Sequence, residues 1–326
     1  MKSMTRRSFI GFALAGLAGT AVISHAQEWP ARPIRLVISQ PPGATPDILA
    51  RLLSEKMGKT LGQPVIVENR PGASNIIGAQ AAAKAAPDGY TLFLATAAAL
   101  AANPHTFKSL PYDPLKDFAP VGMIGGNYFV VLVNNDVPAR TFDEYLALVR
   151  AQPDKYSFAS DGAKGFAGLL GDWIAKRAGV KTLHVPYTSA AQSLQETIAG
   201  RNQMTIQATP TAMPFIERGA VRPLAISSSG RTKGFESVPT IAQTLPGVEL
   251  LGWLAMVAPK GVPAPVINKV NAALNQALSD PAIQQRMQEF GMTSEGSGTP
   301  AALEKYIIAE HARWAGIIKE LGVIAD

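Results

Sequence analysis

Backbone N–H groups able to bind an anion are predicted near the start of this sequence, at Gly43 and Ala44. These residues follow an apolar run typical of a buried strand, and they precede apolar residues at helical spacing. Thr45 is predicted to be the N-cap of that helix, with Pro46 at its first position and Asp47 in its first turn. Such a turn directs N–H groups and the positive end of the helix dipole at one point, which favours a carboxylate. An ordinary strand-to-helix turn is the alternative, and this stretch taken alone favours it.

Five further loops have a similar composition, rich in Gly, Ser, Thr and Asn, and each is predicted to follow a strand. Ligands of parallel α/β sheets bind at the carboxyl ends of strands, where hydroxyls and amides hold a carboxylate without a cationic side chain. A capped surface turn is the simpler interpretation of any single loop, but six such loops favour a ligand site. The five loops are 73–75, 96–103, 160–166, 187–190 and 207–211.

Signatures of catalysis and of metal binding are mostly absent from the sequence. It contains no Gly-x-Ser-x-Gly, no phosphate-binding loop and no His-Glu-x-x-His, and the glycines of 162–168 are spaced by three, unlike a dinucleotide fingerprint. Three histidines follow the N-terminal segment, none paired at metal-ligand spacing: His105, His184 and His311. The chain has no cysteine, which excludes disulfides, thiolate metal sites and cysteine nucleophiles. An enzyme of unrecognised type is left as an unsupported alternative.

The composition indicates a globular protein that does not bind nucleic acid. A chain of 326 residues allows two domains or one large α/β unit, and 47% hydrophobic residues allow a sizeable core. The net charge is +6, but Lys2, Arg6 and Arg7 precede the expected mature start, which leaves 6 − 3 = 3 positive charges. No run of Lys and Arg interleaved with aromatic residues is present.

The N-terminus has the pattern of a secretory signal peptide over residues 1–26. Basic residues lead into the apolar segment 9–23, and small residues precede Gln27, the expected first residue of the mature chain. The pair Arg6-Arg7 favours the twin-arginine export route over the general one. Because the apolar segment is short and no cysteine is available for lipid attachment, we expect a soluble periplasmic protein.

The elements that would position these loops are predicted as two sets of alternating strands and helices. Such alternation favours parallel sheets covered on both faces, giving two lobes between which the chain crosses more than once. After Trp253 a last apolar run is followed by three helices. The predicted strands are 34–38, 64–68, 90–96, 128–133, 156–160, 183–185, 204–208 and 224–227.

A series of short motifs resembles the substrate-binding receptors of tripartite tricarboxylate transporters, the TctC or Bug family. Several motifs are generic by themselves, but together they occur in one consistent order along nearly the whole chain. They are Pro41-Pro42-Gly43 with Asp47, VENRPGA at 67–73, APDGYTL at 86–92, LPYDP at 110–114, HVPY at 184–187 and VPT at 238–240.

The resemblance implies an α/β fold with two lobes, of the periplasmic binding protein type II. Lobe 1 would comprise 27–127 plus 252–326, and lobe 2 would comprise 128–251. An organic carboxylate would bind between the lobes, held by loop amides and ordered waters, with no cofactor or metal. Closure of the lobes would then present the loaded receptor to the membrane permease subunits of a tripartite transporter.

Eleven residues are expected at the ligand site. Main-chain N–H groups are expected from Gly43, Ala44, Gly165 and Phe166. Hydroxyl groups are expected from Ser74, Thr96 and Thr188. Asp47 is expected to position the loop or a water, since a carboxylate is an unsuitable partner for an anion. The remaining three are Asp161, Tyr187 and Gln207.

The sequence departs from the family pattern at three places. Ala44 stands where the family often has a second glycine, which makes backbone approach tighter or shifts it. Phe166 and Gly168 occupy a region that commonly carries Ser and His; Phe166 favours an aromatic or long-chain carboxylate, with core packing an equal alternative. Gln207 replaces a frequent Asp, which removes an acceptor for an amino group and argues against an amino-acid ligand.

Three functions follow as hypotheses. The first is a receptor that delivers a carboxylate to a tripartite permease. The second is a sensor in which the same closure is read by a membrane kinase, and the third is an exported enzyme. Adjacent permease genes would favour the first and an adjacent kinase gene the second, while turnover of a bound candidate would favour the third.

Overall fold

The structure, a computed structural model, describes residues 28–153, 155–294 and 296–323. The predicted signal peptide, residues 1–26, lies outside the described residues. In the part that is described, no helix combines the length and the apolar character needed to cross a membrane. The chain forms two β-sheets with helices packed against them.

The first sheet contains six strands, which are, in chain numbering, β1 (Ile34–Ile38), β2 (Val65–Asn69), β3 (Thr91–Thr96), β4 (Phe118–Asn127), β10 (Gly252–Pro259) and β11 (Met292–Thr293). Their order across the sheet is β11-β4-β10-β3-β1-β2. β1 pairs in parallel with both β2 and β3, so the carboxyl ends of these three strands lie at one end of the sheet. β10 runs antiparallel to β3 and β4, and β11 runs antiparallel to β4.

The second sheet contains β5 (Phe129–Val133), β6 (Ser157–Ser160), β7 (Leu183–Pro186), β8 (Met204–Ala208) and β9 (Arg222–Ile226). Their order is β7-β6-β8-β5-β9. β6 pairs in parallel with β7 and β8, so this sheet also collects three carboxyl strand ends in one place. β5 runs antiparallel to β8 and β9.

The expectation of purely parallel sheets is therefore wrong, since each sheet is mixed. β4 was not predicted from the sequence. It contains Pro120, Gly122, Gly125 and Gly126 and therefore has little intrinsic strand preference. β4 forms because β10 pairs with it along its whole length, from Gly252 opposite Asn127 to Pro259 opposite Phe118. Tertiary pairing here outweighs local propensity.

Eleven α-helices are found in the described residues. They are α1 (Thr45–Leu61), α2 (Ile76–Ala83), α3 (Asn103–Thr106), α4 (Phe142–Ala151), α5 (Phe166–Ala178), α6 (Ala190–Ile198), α7 (Thr209–Glu217), α8 (Ile241–Thr244), α9 (Ala264–Leu278), α10 (Pro281–Glu289) and α11 (Pro300–Leu321). A π-helix over Ala98–Ala102 joins β3 to α3. The loop predicted at 207–211 is instead the end of β8 and the start of α7.

Capping chemistry explains where several helices begin. The sequence 141–144 predicts a capping box with Glu144 at the third helical position, and it is confirmed, because Thr141 Oγ1 accepts from the Glu144 N–H and Glu144 accepts from the Thr141 N–H. The sequence also predicts Asp280 as the cap of a helix that begins at Pro281, and this is confirmed, since Asp280 accepts from Ala282 and Ile283.

Two predicted caps are wrong by one residue. The N-cap of α1 is Ala44, with Thr45 at the first helical position and Pro46 at the second. Ala44 has no side-chain acceptor that could cap the helix. The carboxylate of Asp47, in the first turn of α1, instead accepts from the Gly43 N–H. The sequence also predicts Ser74 as a possible cap of the helix that follows it. The N-cap of α2 is instead Asn75, because 73–75 forms a separate left-handed turn.

The first sheet is buried on both faces. In β1, Ile34, Leu36 and Ile38 face a core that includes residues of α1 and α9, while Val37 faces a second core. This second core continues into the second sheet through Phe129 and includes Trp314 of α11. The chain passes between the sheets twice, from β4 to β5 and from the segment after β9 to β10.

Candidate ligand-binding site

Asp47 organises the loop before α1. It is 2% exposed, and its carboxylate accepts from the Gly43 N–H at 2.9 Å, from Arg51 at 2.8 and 3.1 Å and from Asn69 Nδ2 at 2.9 Å. Burial would raise the pKa of Asp47, but these hydrogen bonds outweigh it and lower the pKa to about 2. The ionised side chain therefore ties the loop to β2.

The N–H groups expected from this loop are arranged differently from the prediction. The Gly43 N–H is engaged by Asp47, and the Ala44 N–H donates to the Pro41 carbonyl at 3.3 Å. Thr45 is the first residue of α1, and no hydrogen bond within the described residues reaches its N–H. The donor available at this helix start therefore shifts from Gly43 and Ala44 to Thr45.

The turn at 73–75 has three consecutive non-glycine residues with positive φ, namely 46° at Ala73, 52° at Ser74 and 75° at Asn75. The Ile76 N–H donates to the Ala73 carbonyl and closes the turn. Each left-handed residue of this kind costs on the order of 1–2 kcal/mol. Such backbone persists only where its surroundings over-determine it, and it clusters at functional sites.

Hydrogen bonds from neighbouring side chains hold the turn in this conformation. Asn75 Oδ1 accepts from Ser39 Oγ at 3.0 Å and from Gln40 Nε2 at 2.7 Å. Asn103 Nδ2 donates to the Ser74 carbonyl at 2.8 Å. Ser74 itself is exposed, so the turn holds its hydroxyl at the surface.

Thr96 lies at the carboxyl end of β3, as predicted from its place in the sequence. Its Oγ1 accepts from the Ala99 N–H at 3.2 Å and thereby starts the π-helix. Gly43, Ala44, Asp47, Ser74 and Thr96 thus follow the carboxyl ends of β1, β2 and β3, and we call these five residues the first cluster.

Gly165 is the N-cap of α5, and its N–H donates to the Gly162 carbonyl at 3.1 Å. A Cβ atom at this position would lie 2.7 Å from Asp161 Oδ1, so a side chain here would require the Asp161 carboxylate to move. Asp161 is solvent-exposed, yet burial by the surrounding protein still raises the pKa of its carboxyl group.

The Phe166 ring packs against Trp314, with 4.8 Å between ring centroids, and against Phe129 at 5.9 Å. These contacts favour the core-packing interpretation of Phe166 over a role as apolar ligand surface. Its backbone N–H remains at the first position of α5, where the helix dipole is positive.

Tyr187 and Thr188 follow β7. The Tyr187 N–H donates to the Ser160 carbonyl at 2.9 Å, and its hydroxyl accepts from Asn202 at 2.8 Å. The Thr188 hydroxyl donates to Gln192 at 2.9 Å, so it is engaged within the start of α6.

Gln207 is buried in β8, with 1% of its surface exposed. Its Nε2 donates to Ser193 Oγ and Thr205 Oγ1, both at 2.8 Å. Both hydroxyls donate elsewhere, to the Ala190 and Ala159 carbonyls, which fixes the orientation of the amide. The buried Oε1 has no hydrogen-bond partner, so an acceptor atom is present where the sequence argument expected one to be lost.

Asp161, Gly165, Phe166, Tyr187, Thr188 and Gln207 form the second cluster, at or beside the carboxyl ends of β6, β7 and β8. One hydrogen bond joins the loop that carries Asp161 and Gly165 to α3, the helix that follows Thr96 along the chain. Lys164, in the loop of the second cluster, donates to the Thr106 carbonyl at 3.0 Å and lies 4.9 Å from the Phe107 ring centroid. Thr106 ends α3, which follows Thr96 through the π-helix.

Several residues of this region were missed by sequence reasoning. Asn69 and Asn75 lie inside motifs that were recognised, but an amide side chain gives no distinctive signal of its own. Ser160, His184 and Asp172 are far apart in sequence and meet only in the fold. Ser160 Oγ lies 2.6 Å from His184 Nε2, and His184 Nδ1 lies 3.3 Å from Asp172 Oδ1.

This arrangement resembles the Ser-His-Asp triad of hydrolases, but it does not present a nucleophile. Ser160 is fully buried, and its Oγ faces the backbone of Gly162, 3.3 Å from the nitrogen and 3.1 Å from the oxygen. A substrate carbonyl would have no approach to that oxygen. Among the described residues, no group of three or more His, Cys, Asp or Glu side chains could hold a metal ion.

Two surface depressions lie away from both clusters. One, of about 440 Å³, is lined by residues of 229–243, and the other, of about 690 Å³, by residues of 104–116 and His311. None of the eleven expected site residues lines either of them. Both clusters, in contrast, combine a helix N-terminus with exposed polar groups at the carboxyl ends of strands, an arrangement that favours anion binding.

The chain is similar to known proteins along most of its length. A family model described as "Tripartite tricarboxylate transporter family receptor" matches residues 49–323. Protein BugT of Bordetella pertussis is 35% identical over 323 residues, which cover 98% of each chain. The solved structure of the periplasmic binding protein BugD is 30% identical with a TM-score of 0.80, and that of R. palustris Rpa4515 with adipate is 29% identical with a TM-score of 0.83. Each alignment covers 91% of this chain and 100% of the solved chain.

These similarities confirm the predicted fold class. The mixed α/β architecture with two sheets is that of a periplasmic binding protein related to BugD.

Proposed function

Because the chain belongs to the tripartite tricarboxylate transporter receptor (TctC) family, we propose that it captures an organic carboxylate between two lobes and delivers it to a tripartite permease. Proteins of this family are substrate-binding receptors rather than enzymes. The observation that carries the proposal is the location of the eleven expected residues at or beside the carboxyl strand ends of the two sheets. A bond from Lys164 to Thr106 joins the loop 160–166 to α3.

We infer lobe boundaries from the sheets. Lobe 1 comprises 27–127 and 252–326, and lobe 2 comprises 128–251. The membership of the strands supports this division, since β1–β4, β10 and β11 share one sheet and β5–β9 share the other. Two connections between the lobes are consistent with closure around a hinge.

The ligand carboxylate would be held by the positive ends of α1 and α5. Thr45 and Phe166 are the first residues of α1 and α5 and offer their backbone N–H groups there. α1 follows a strand of the first sheet, and α5 follows a strand of the second. Asp47 does not oppose this role, because Arg51 neutralises it at 2.8 Å. The solved structure of Rpa4515 contains adipate, a dicarboxylate, which supports an organic acid as the ligand here.

The location and the partners complete the proposal. A secretory signal over 1–26, cleaved after Ala26, would deliver the mature chain to the periplasm, where BugD is described as a binding protein. The permease subunits of the tripartite transporter would receive the ligand there.

A thermal-shift screen of dicarboxylates, tricarboxylates, aromatic acids and amino acids tests the proposal. A ligand present at 100 times its Kd should stabilise the protein by about 2.7 kcal/mol. We expect adipate or another organic acid to give the largest shift. A response to amino acids alone, or to none of these compounds, would contradict the proposal.

The Thr45→Pro variant tests the role of the N–H group. Proline is tolerated at the first helical position, so this change removes one donor with little effect on α1. We expect it to weaken binding of the best acid about tenfold, as loss of a hydrogen bond to a charged group does. Thr45→Ala, which keeps the N–H, is the matched control and should bind as the wild type does.

A further inference from the structure

His184 on β7 lies between Asp172 on α5 and Ser160 at the end of β6. His184 Nδ1 lies 3.3 Å from Asp172 Oδ1, and Nε2 lies 2.6 Å from Ser160 Oγ. Because a negative carboxylate favours a proton on the ring nitrogen beside it, we assign the ring proton to Nδ1, so that Nε2 accepts from the Ser160 hydroxyl. The partners thus set both the tautomer of His184 and the direction of the Ser160 O–H bond.

The His184 ring is held firmly in this position. It stacks on Phe158 with 4.1 Å between centroids and an interplanar angle of 20°. On another side lies Gly168 of α5, where an added Cβ would be only 3.0 Å from His184 Cε1. The side chain is 15% exposed. Rotation of the ring would therefore require α5 or β6 to move.

Ser160 connects His184 to the loop 161–165 through hydrogen bonds to the backbone of Gly162. The Ser160 hydroxyl proton has two acceptors in reach, His184 Nε2 at 2.6 Å and the Gly162 carbonyl at 3.1 Å, and the shorter contact favours His184. Ser160 Oγ then accepts from the Gly162 N–H at 3.3 Å. The Gly162 carbonyl in turn accepts from the Gly165 N–H at 3.1 Å, and Gly165 is the N-cap of α5. Gly162 has φ of 138°, a conformation that suits glycine. The hydrogen-bonded chain thus ends at the α5 N-terminus.

We propose that Asp172, His184 and Ser160 are positioning residues that hold the loop 161–165, and through it the α5 N-terminus, in the conformation that binds the carboxylate. This inference rests on the proposed function. Ser160 is fully buried, so it acts on the ligand through the loop and not by contact.

Calorimetric titration with adipate tests the effect on affinity. Ser160→Ala and His184→Ala should each raise the Kd about tenfold, because the Gly162 N–H loses its acceptor or that acceptor loses its orientation. His184→Gln should restore most of the affinity, since its amide oxygen can accept from the Ser160 hydroxyl. Ser157→Ala is the matched control: Ser157 lies at the other end of β6, where its hydroxyl bonds to Asn202 at 3.1 Å, and its loss should leave the Kd unchanged.

Amide resonances of the ligand-free protein provide a second readout. The ¹H–¹⁵N signals of Gly162 and Gly165 should shift in Ser160→Ala and stay in place in Ser157→Ala. The inference is overturned if these signals do not move, if Ser160→Ala and Ser157→Ala bind adipate equally well, or if His184→Gln binds no better than His184→Ala. If the wild type bound no organic acid while the signals shifted, the proposed function would fail and the positioning of the loop would stand.

Discussion

The carboxylate of Asp47 is an example of a charged group that builds a binding loop without contacting the ligand. Four hydrogen bonds from Gly43, Arg51 and Asn69 join the start of α1 to the end of β2. A buried charge is tolerated only when such partners replace its hydration. The sequence predicted that Asp47 would position the loop, and these contacts support that role. It could not predict that Gly43 would be the residue engaged, because this depends on the loop closing back on the helix.

The Asp47 carboxylate should make the stability of the protein depend on acid pH. Its folded-state pKa is about 2, below the ordinary value of 3.8. The unfolded chain therefore binds the proton more tightly, and the side chain stabilises the fold fully above about pH 4 and progressively less as the pH falls to 2. The contribution is about 2 kcal/mol. Urea denaturation should show Asp47→Asn to be less stable than the wild type by about this amount at pH 5, with the difference shrinking toward pH 2.5.

Asp136→Asn provides the control for this measurement. Asp136 is exposed, so its replacement should change the free energy of unfolding little at either pH. A difference between wild type and Asp47→Asn that stayed constant from pH 5 to pH 2.5 would show that ionisation of Asp47 does not stabilise the fold.

Elements with a strong local signal were predictable, and elements formed by tertiary contacts were not. The predicted strand 34–38 has the bounds that the structure gives to β1. The last of the three helices predicted after Trp253, over 300–321, has the bounds of α11. β4 was missed because its glycines and proline hide a strand that depends on β10. The sequence predicts a helix cap at Ser74, where the structure has a left-handed turn. The turn could not be predicted, because it depends on hydrogen bonds from Asn103 to Ser74 and from two other side chains to Asn75.

Two glycines within helices should respond to alanine in opposite ways. In α5, a Cβ at Gly168 would lie 2.3 Å from the Gly162 carbonyl, and backbone cannot yield as a flexible side chain does. In α11, Gly316 has no atom within 4 Å of that position. Gly316→Ala should therefore stabilise the protein by about 0.5–1 kcal/mol through helix propensity alone. Gly168→Ala should destabilise it, by about 1–3 kcal/mol as overpacking does, and should displace the loop 161–165.

Thermal and urea denaturation of the two variants measure these effects, and titration with the best-binding acid reports on the loop. Gly168→Ala should bind more weakly, while Gly316→Ala should bind as the wild type does. Equal stability changes in the two variants would contradict the close packing of α5 against this loop.

For the whole molecule, the sequence motifs predicted the fold class and the two sheets, but not how the lobes touch. Sequence can indicate which loops end parallel strands, because strand polarity and connection rules place those ends together. It cannot indicate a contact such as Lys164 with Thr106, since one residue lies in the loop after β6 of the second sheet and the other ends α3, which follows β3 of the first sheet. Contacts of α11 with α5, such as Trp173 Nε1 with Glu320 at 3.3 Å, were hidden for the same reason.

The Lys164 contact should slow release of the ligand. Its ammonium group donates to the last carbonyl of α3 at 3.0 Å and lies over the Phe107 ring. If the proposed lobes open to release the ligand, these groups separate. Lys164→Met keeps an apolar chain against Phe107 but removes the donor. We expect its dissociation rate for the best-binding acid to rise about three- to tenfold in stopped-flow experiments, corresponding to a hydrogen bond of about 1 kcal/mol.

Lys181→Met, the control variant, removes the same charge from an exposed position of lobe 2, so both variants should associate with the anion at similar rates. Equal dissociation rates for the two variants would show that the Lys164 contact does not restrain opening.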